Sequence, residues 1–141
     1  ENTYEFKLGK GVVLSEGKDV TIIATGIMVD AAIEAKDILA NEGINAKVIN
    51  IHTIKPLDSE LIIEAAKETG AIVTAEEHSV IGGLGSAVAE AVTEKYPVPV
   101  LKVGVNDVFG ESGKPDELLK AYNLTAQDIV NKVKDAITLK K

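Results

Sequence analysis

A chain of 141 residues, 45% of them hydrophobic and 26% charged, has the size and composition of one folded domain and excludes a disordered protein. Against 15 basic residues stand 22 acidic ones, giving a net charge of −7. No Lys-rich block or basic aromatic stripe is present to neutralise phosphates, so no nucleic-acid partner is expected and the charge serves solubility. The absence of cysteine excludes a disulfide framework and a thiolate metal site, which makes the cytoplasm the expected compartment. The apolar runs fall far short of the roughly 18 residues of a membrane helix, so no membrane role is expected.

Short β-branched runs alternate with segments of helical period, the pattern of βα units that build a mostly parallel sheet covered on both faces. Gly11 to Leu14 reads as an edge strand, and Val20 to Ala24 as the first buried one. Between Met28 and Asn41, Met28, Ala31, Ala32, Ala35, Ile38 and Leu39 recur at helical spacing, with a stop at Gly43. A second buried strand, Ala46 to Ile51, leads to a helix announced by Pro56, capped by Asp58 and ended at Gly70. A third strand, Ala71 to Ala75, precedes a helical segment from Gly82 to Glu94 that Pro97 closes, and Val98 to Val103 reads as the last strand. Gly104 to Gly113 reads as a polar loop and Pro115 to Tyr122 as a short helix. The final helix opens on a Thr125–Asp128 capping box and carries Ile129, Val133, Ala136 and Ile137 on one face. No repeat or linker divides the chain, so residues 1–141 are taken as one domain.

Few residues carry chemistry. His52 and His78 are the two histidines, and their spacing from acidic residues fits no metal motif, so no catalytic or metal-ligating set is expected. The stretch of most interest runs Glu76-Glu77-His78-Ser79-Val80-Ile81-Gly82-Gly83-Leu84-Gly85, following a strand and opening a helix. Loops at the carboxyl ends of parallel strands gather ligands, and amides at a glycine-rich helix start attract anions. Gly82, Gly83 and Gly85 lack the dinucleotide spacing, and their plainer role is a tight turn with close helix–sheet packing. Glu76 and Glu77 are adjacent, so on a strand they point to opposite faces and do not form an acid–base dyad. Thr25-Gly26 reads first as a strand-to-helix turn. Gly26, Glu76, Glu77, His78, Ser79, Gly82, Gly83 and Gly85 are thus the candidate ligand or interface residues.

Three segments taken together carry a family resemblance: Tyr4 to Lys10 with Gly17 to Gly26, Ile54-Lys55-Pro56-Leu57-Asp58, and Glu76 through Gly85. Over nearly the whole chain they resemble the C-terminal domain of thiamine-diphosphate enzymes such as transketolase, deoxyxylulose-phosphate synthase and the β subunits of 2-oxo-acid dehydrogenases. Phe109-Gly110-Glu111-Ser112-Gly113, followed by Leu118-Leu119, Tyr122 and Leu124-Thr125-Ala126, looks like transketolase in its short or split microbial form. A deoxyxylulose-phosphate synthase would carry His in place of Ser112.

The resemblance implies a three-layer α/β/α fold with a mixed, mostly parallel five-stranded sheet, Gly11 to Leu14 running antiparallel. It also implies that the strands ending near Ala24 and Ala75 are neighbours, so that Gly26 and the His78 segment flank the topological switch point. Thiamine diphosphate and Mg²⁺ are then expected on upstream domains, through a Gly-Asp-Gly motif and an activating Glu. This sequence holds no Gly-Asp-Gly, and its first residue is Glu, as expected of an excised or processed fragment. The implied partners are the upstream transketolase domains or subunit, in a homodimeric enzyme, with the isolated chain inactive. Two other roles compete: a module binding a small anion or regulatory ligand at Gly26 and Gly82 to Gly85, and the C-terminal domain of a deoxyxylulose-phosphate synthase or of an oxo-acid dehydrogenase β subunit that docks an acyltransferase.

Overall fold

The computed structural model describes residues 10–52, 56–79, 83–105 and 125–140. In chain order these form β1 (Val12–Ser15), β2 (Val20–Ala24), α1 (Met28–Asn41), β3 (Ala46–Asn50), α2 (Ser59–Thr69), β4 (Ile72–Ser79), α3 (Leu84–Lys95), β5 (Val100–Val105) and α4 (Ala126–Thr138). The strands make one sheet in the order β1-β3-β2-β4-β5. β2 pairs parallel with β3 and β4, β4 pairs parallel with β5, and β1 runs antiparallel to β3.

All five residues of β2 are buried, because the strand lies mid-sheet with helices over both faces; hence its uninterrupted Val20-Thr21-Ile22-Ile23-Ala24. Val20, Ile22 and Ala24 join Val48, Val73 and Ala75 beneath α1 and α4, which bury Met28, Ala32, Ala35, Leu39, Ile129, Val130 and Val133. Ile23, Ile49, Ile51 and Ile72 face the other way, against Ile62, Ala65, Leu84 and Val88 of α2 and α3. Each fully buried Val, Ile, Leu or Met side chain among these contributes about 1.5–3 kcal/mol. The outcome is the expected three-layer α/β/α domain.

Right-handed crossovers explain which helix covers which face. The chain moves from β2 to β3 in one direction, then crosses back over β2 to reach β4 and continues to β5. α1 therefore covers one face, α2 and α3 the other, and α4 returns beside α1. Between β2 and β4 the direction reverses, which creates the switch point at their carboxyl ends.

Asp58 caps α2 through the Leu61 amide at 3.4 Å and also accepts the Gly11 amide at 2.9 Å, which ties the entry of β1 to α2. The Thr125–Asp128 capping box opens α4 as its sequence announces. Several boundaries differ from the sequence reading. β4 runs on through Ser79, so Glu76, Glu77, His78 and Ser79 are strand rather than loop. α3 starts at Leu84, not Gly82, and Gly104 belongs to β5. The helix expected over Pro115 to Tyr122 lies outside the described residues.

One buried cation escapes any reading by hydropathy. Lys47, on β3, is 5% exposed and reaches Glu68 at 2.8 Å and Glu16 at 3.0 Å. Burial disfavours its charge, but the hydrogen bonds to Glu68 and Glu16 and their negative charges outweigh that, so its pKa lies above the ordinary 10.5. A raised folded value means that the stabilisation is complete below the unfolded pKa and is lost as pH rises through the folded one. Denaturation across a pH series is expected to show a constant stability difference between wild type and Lys47→Met through neutral pH, shrinking only above about pH 10.5.

The turn from β1 into β2 depends on a close approach. A Cβ on Gly17 would stand 2.4 Å from the Ala46 carbonyl carbon and 2.7 Å from that of Asn45, both backbone atoms that cannot step aside. Gly17→Ala is expected to destabilise the domain by about 1–3 kcal/mol, read as a lower urea midpoint with an unchanged slope.

Candidate functional site

At the carboxyl end of β2, the Thr25 amide donates to Ala75 of β4 at 3.2 Å. Gly26 then turns the chain at φ 57°, a left-handed conformation that favours glycine, and α1 begins two residues on. Ala24 pairs with Ala75, so the turn lies beside the strand that carries Glu76. The neighbouring strand ends that the resemblance implies are therefore observed, and Gly26 serves there as a turn.

Glu76 dominates this end of the sheet. Its side chain is almost wholly buried, at 1% exposure, and each carboxylate oxygen accepts one amide at 2.9 Å: Oε1 from Leu84 and Oε2 from Gly85. Those two residues open α3, where amides have no carbonyl partner within the helix and the helix dipole presents its positive end. A buried carboxylate without partners would be destabilising by several kcal/mol. Two hydrogen bonds to a charged acceptor, each contributing about 1.5–3 kcal/mol, offset that cost here.

Two of the amides that sequence reasoning offered to an external anion, those of Leu84 and Gly85, are thus taken from within. Gly83, extended at φ −97° and ψ −153°, supplies no side-chain cap, and Glu76 does that work from the strand. Gly85 allows the approach, since a Cβ there would meet Lys102 Cγ at 2.7 Å and Thr74 Oγ1 at 2.9 Å. The carboxylate lies eight and nine residues before the two amides it caps, beyond the reach of a local capping signal. Both oxygens of Glu76 are thus engaged by α3.

β4 and β5 fall out of register at the same place. Ala75 pairs with Val103 and Ser79 with Val105, so β4 advances four residues while β5 advances two. Bulges of this kind bend a strand and end its pairing. Of the other candidates, Glu77, His78 and Ser79 lie on this last part of β4, with side chains outside the described set, as is Gly82. His52 is exposed just beyond β3.

Among the described residues no group of three or more His, Cys, Asp or Glu is placed to hold a metal ion, and no helix is long and apolar enough to cross a membrane. Two clefts open at the opposite, amino-terminal end of the strands. One, of about 630 Å³, is lined by Glu16, Lys18, Asp19, Asn45 and Glu68, and another, of about 410 Å³, by Tyr96, Pro97, Val98, Pro99 and Leu139.

Residues 9–129 match the family model described as Transketolase, C-terminal domain. The chain belongs to the transketolase C-terminal domain family. It is 56% identical over 126 residues to a 6-deoxy-6-sulfo-D-fructose transketolase subunit of Clostridium sp. (strain MSTE9), covering 89% of this chain and 39% of that protein. A solved structure, a split gene transketolase described as an inactive β4 tetramer, superposes with a TM-score of 0.94 at 60% identity, over 98% of this chain and 45% of that one. The 1-deoxy-D-xylulose-5-phosphate synthase of Trichormus variabilis is 45% identical over 131 residues, which is 92% of this transketolase domain and 21% of the synthase. The domain therefore spans less than half the length of these relatives.

One buried hydroxyl at the site has no hydrogen-bond partner among the described residues, Thr74 Oγ1, which sits beside Gly85 under α3. Its desolvation is uncompensated, so the isosteric Thr74→Val is expected to raise stability by about 0.5–1.5 kcal/mol in chemical denaturation; a loss of that size would reveal a partner for the hydroxyl.

Proposed function

We propose that this domain is the packing and assembly section of a two-carbon ketol transferase whose reaction takes place on an upstream section or partner subunit. The observation that carries this reading is the match over nearly the whole chain to relatives more than twice its length. The described residues do not fit thiamine diphosphate and Mg²⁺. A diphosphate needs free amides or cationic side chains, and the helix start at the switch point already holds the Glu76 carboxylate. The described carboxylates are likewise not grouped for a cation. The cofactor and its metal are accordingly assigned to the upstream section, and no step of the reaction to residues of this chain.

The substrates under this reading are sugar phosphates or sugars bearing another terminal anion, as in the name of the Clostridium relative. The full enzyme is a cytoplasmic homodimer of the complete catalytic unit, in keeping with a cysteine-free sequence. Glu77, His78, Ser79, Gly82 and Gly83 serve as contacts to the upstream section rather than to substrate. The inactive β4 state of the split gene structure supports a chain of this type being silent by itself.

Purified alone with thiamine diphosphate, Mg²⁺, a ketose phosphate donor and an aldose phosphate acceptor, the chain is expected to transfer no ketol unit, and addition of the upstream section is expected to start transfer. Turnover by the chain alone would contradict the reading.

A further inference from the structure

We propose that Glu76 is a positioning residue for the transfer reaction, one that fixes the strand end Glu77 to Ser79 and the start of α3 on the surface where this domain meets the upstream section. The proposal rests on the transferase reading above. Three observations support it.

First, Glu76 joins two elements directly. It lies on β4, its oxygens grip the first two amides of α3 at 2.9 Å, and only residues 77–83 separate them. Second, the grip falls where sheet pairing weakens, because β4 bulges against β5 between Ala75 and Ser79. Beyond Ala75 the ladder therefore contributes less to the direction of the strand, and the Glu76 clamp contributes more. Third, the topology places this feature on the side from which a preceding section arrives. β1 is antiparallel, and its Val12 pairs with Asn50 at the carboxyl end of β3, so the chain enters the domain at the same end of the sheet as the Glu76 clamp. In the longer relatives this family domain is the C-terminal one, so whatever precedes it joins there.

A carboxylate with two amides is also a directional device. Glutamine keeps the shape but replaces one acceptor with an NH₂ group that faces a backbone N–H, and aspartate keeps the charge but is too short to hold both amides. Misplacement of a supporting element by about 1 Å can lower a rate by roughly a hundredfold without touching the chemistry.

The test reconstitutes the full chain with the upstream section and compares wild type, Glu76→Gln, Glu76→Asp and Lys47→Met well below their unfolding temperatures. The expected result is a kcat reduced roughly tenfold to a hundredfold in both Glu76 variants. The KM for thiamine diphosphate stays unchanged, since that group is held upstream, and hydrogen exchange quickens at the amides of residues 77–79, 84 and 85. Lys47→Met, a buried-charge change at the other end of the sheet, keeps the wild-type kcat and so controls for stability alone. If Glu76→Gln does not fold, Glu76→Asp carries the comparison. Glu76 variants with wild-type kcat despite faster exchange at residues 84 and 85 would overturn the proposal. A wild-type pair without any transfer would instead overturn the transferase reading.

Discussion

The carboxylate of Glu76 against the opening turn of α3 is the interaction on which this domain's character turns. Parallel α/β sheets bring strand ends and helix starts together at the switch point, and the resulting amides are an anion site by default. Here the anion is part of the chain. Two charge-assisted hydrogen bonds and the helix dipole offset the desolvation of a side chain with 1% exposure, and the Leu84 and Gly85 amides are taken. A domain built in this way keeps the architecture of a binding fold while using two of its helix-opening amides in a structural clamp.

Around that clamp the fold follows from burial on two faces. Alternate residues of β2 and β4 supply two separate hydrophobic layers, and each layer is closed by a pair of helices that the right-handed crossovers place on that side. The polar contacts that remain are local braces. Asp58 joins α2 to the entry of β1, Thr21 and Thr69 share a hydrogen bond of 2.8 Å, and Lys47 gathers Glu16 and Glu68 at the amino-terminal end of the sheet. Among the described residues, Glu76, Asp58 and Lys47 are thus consumed in holding the domain together. This agrees with a division of labour in which relatives of more than twice the length carry further sections.

Most of the architecture was legible because its signals are redundant. Val20 to Ala24 is continuous and apolar, as a doubly covered strand must be, and Asp58 and Thr125 announce their helices by side-chain chemistry that the structure repeats atom for atom. The boundaries of β4 were not legible, because Glu76, Glu77, His78 and Ser79 are polar and a hydropathy pattern ends a strand where polarity begins. Lys47 was hidden for the converse reason, as one cation within the apolar run Ala46 to Ile51 whose partners stand 31 and 21 residues away. The candidate site was found as a segment, without the carboxylate that holds its helix start. Amide donors at Gly83 to Gly85 are a local property of sequence, whereas the carboxylate that takes the Leu84 and Gly85 amides depends on the tertiary placement of β4 against α3.

The central claim is that the Leu84 and Gly85 amides, which open α3, are held by an internal anion and do not serve an external one. Its most direct test is a titration of the wild-type domain with inorganic phosphate and a sugar phosphate, followed through the backbone amide resonances of Leu84 and Gly85. The account predicts that neither resonance shifts in a saturable way. A saturable shift of both, with Glu76 displaced, would contradict it.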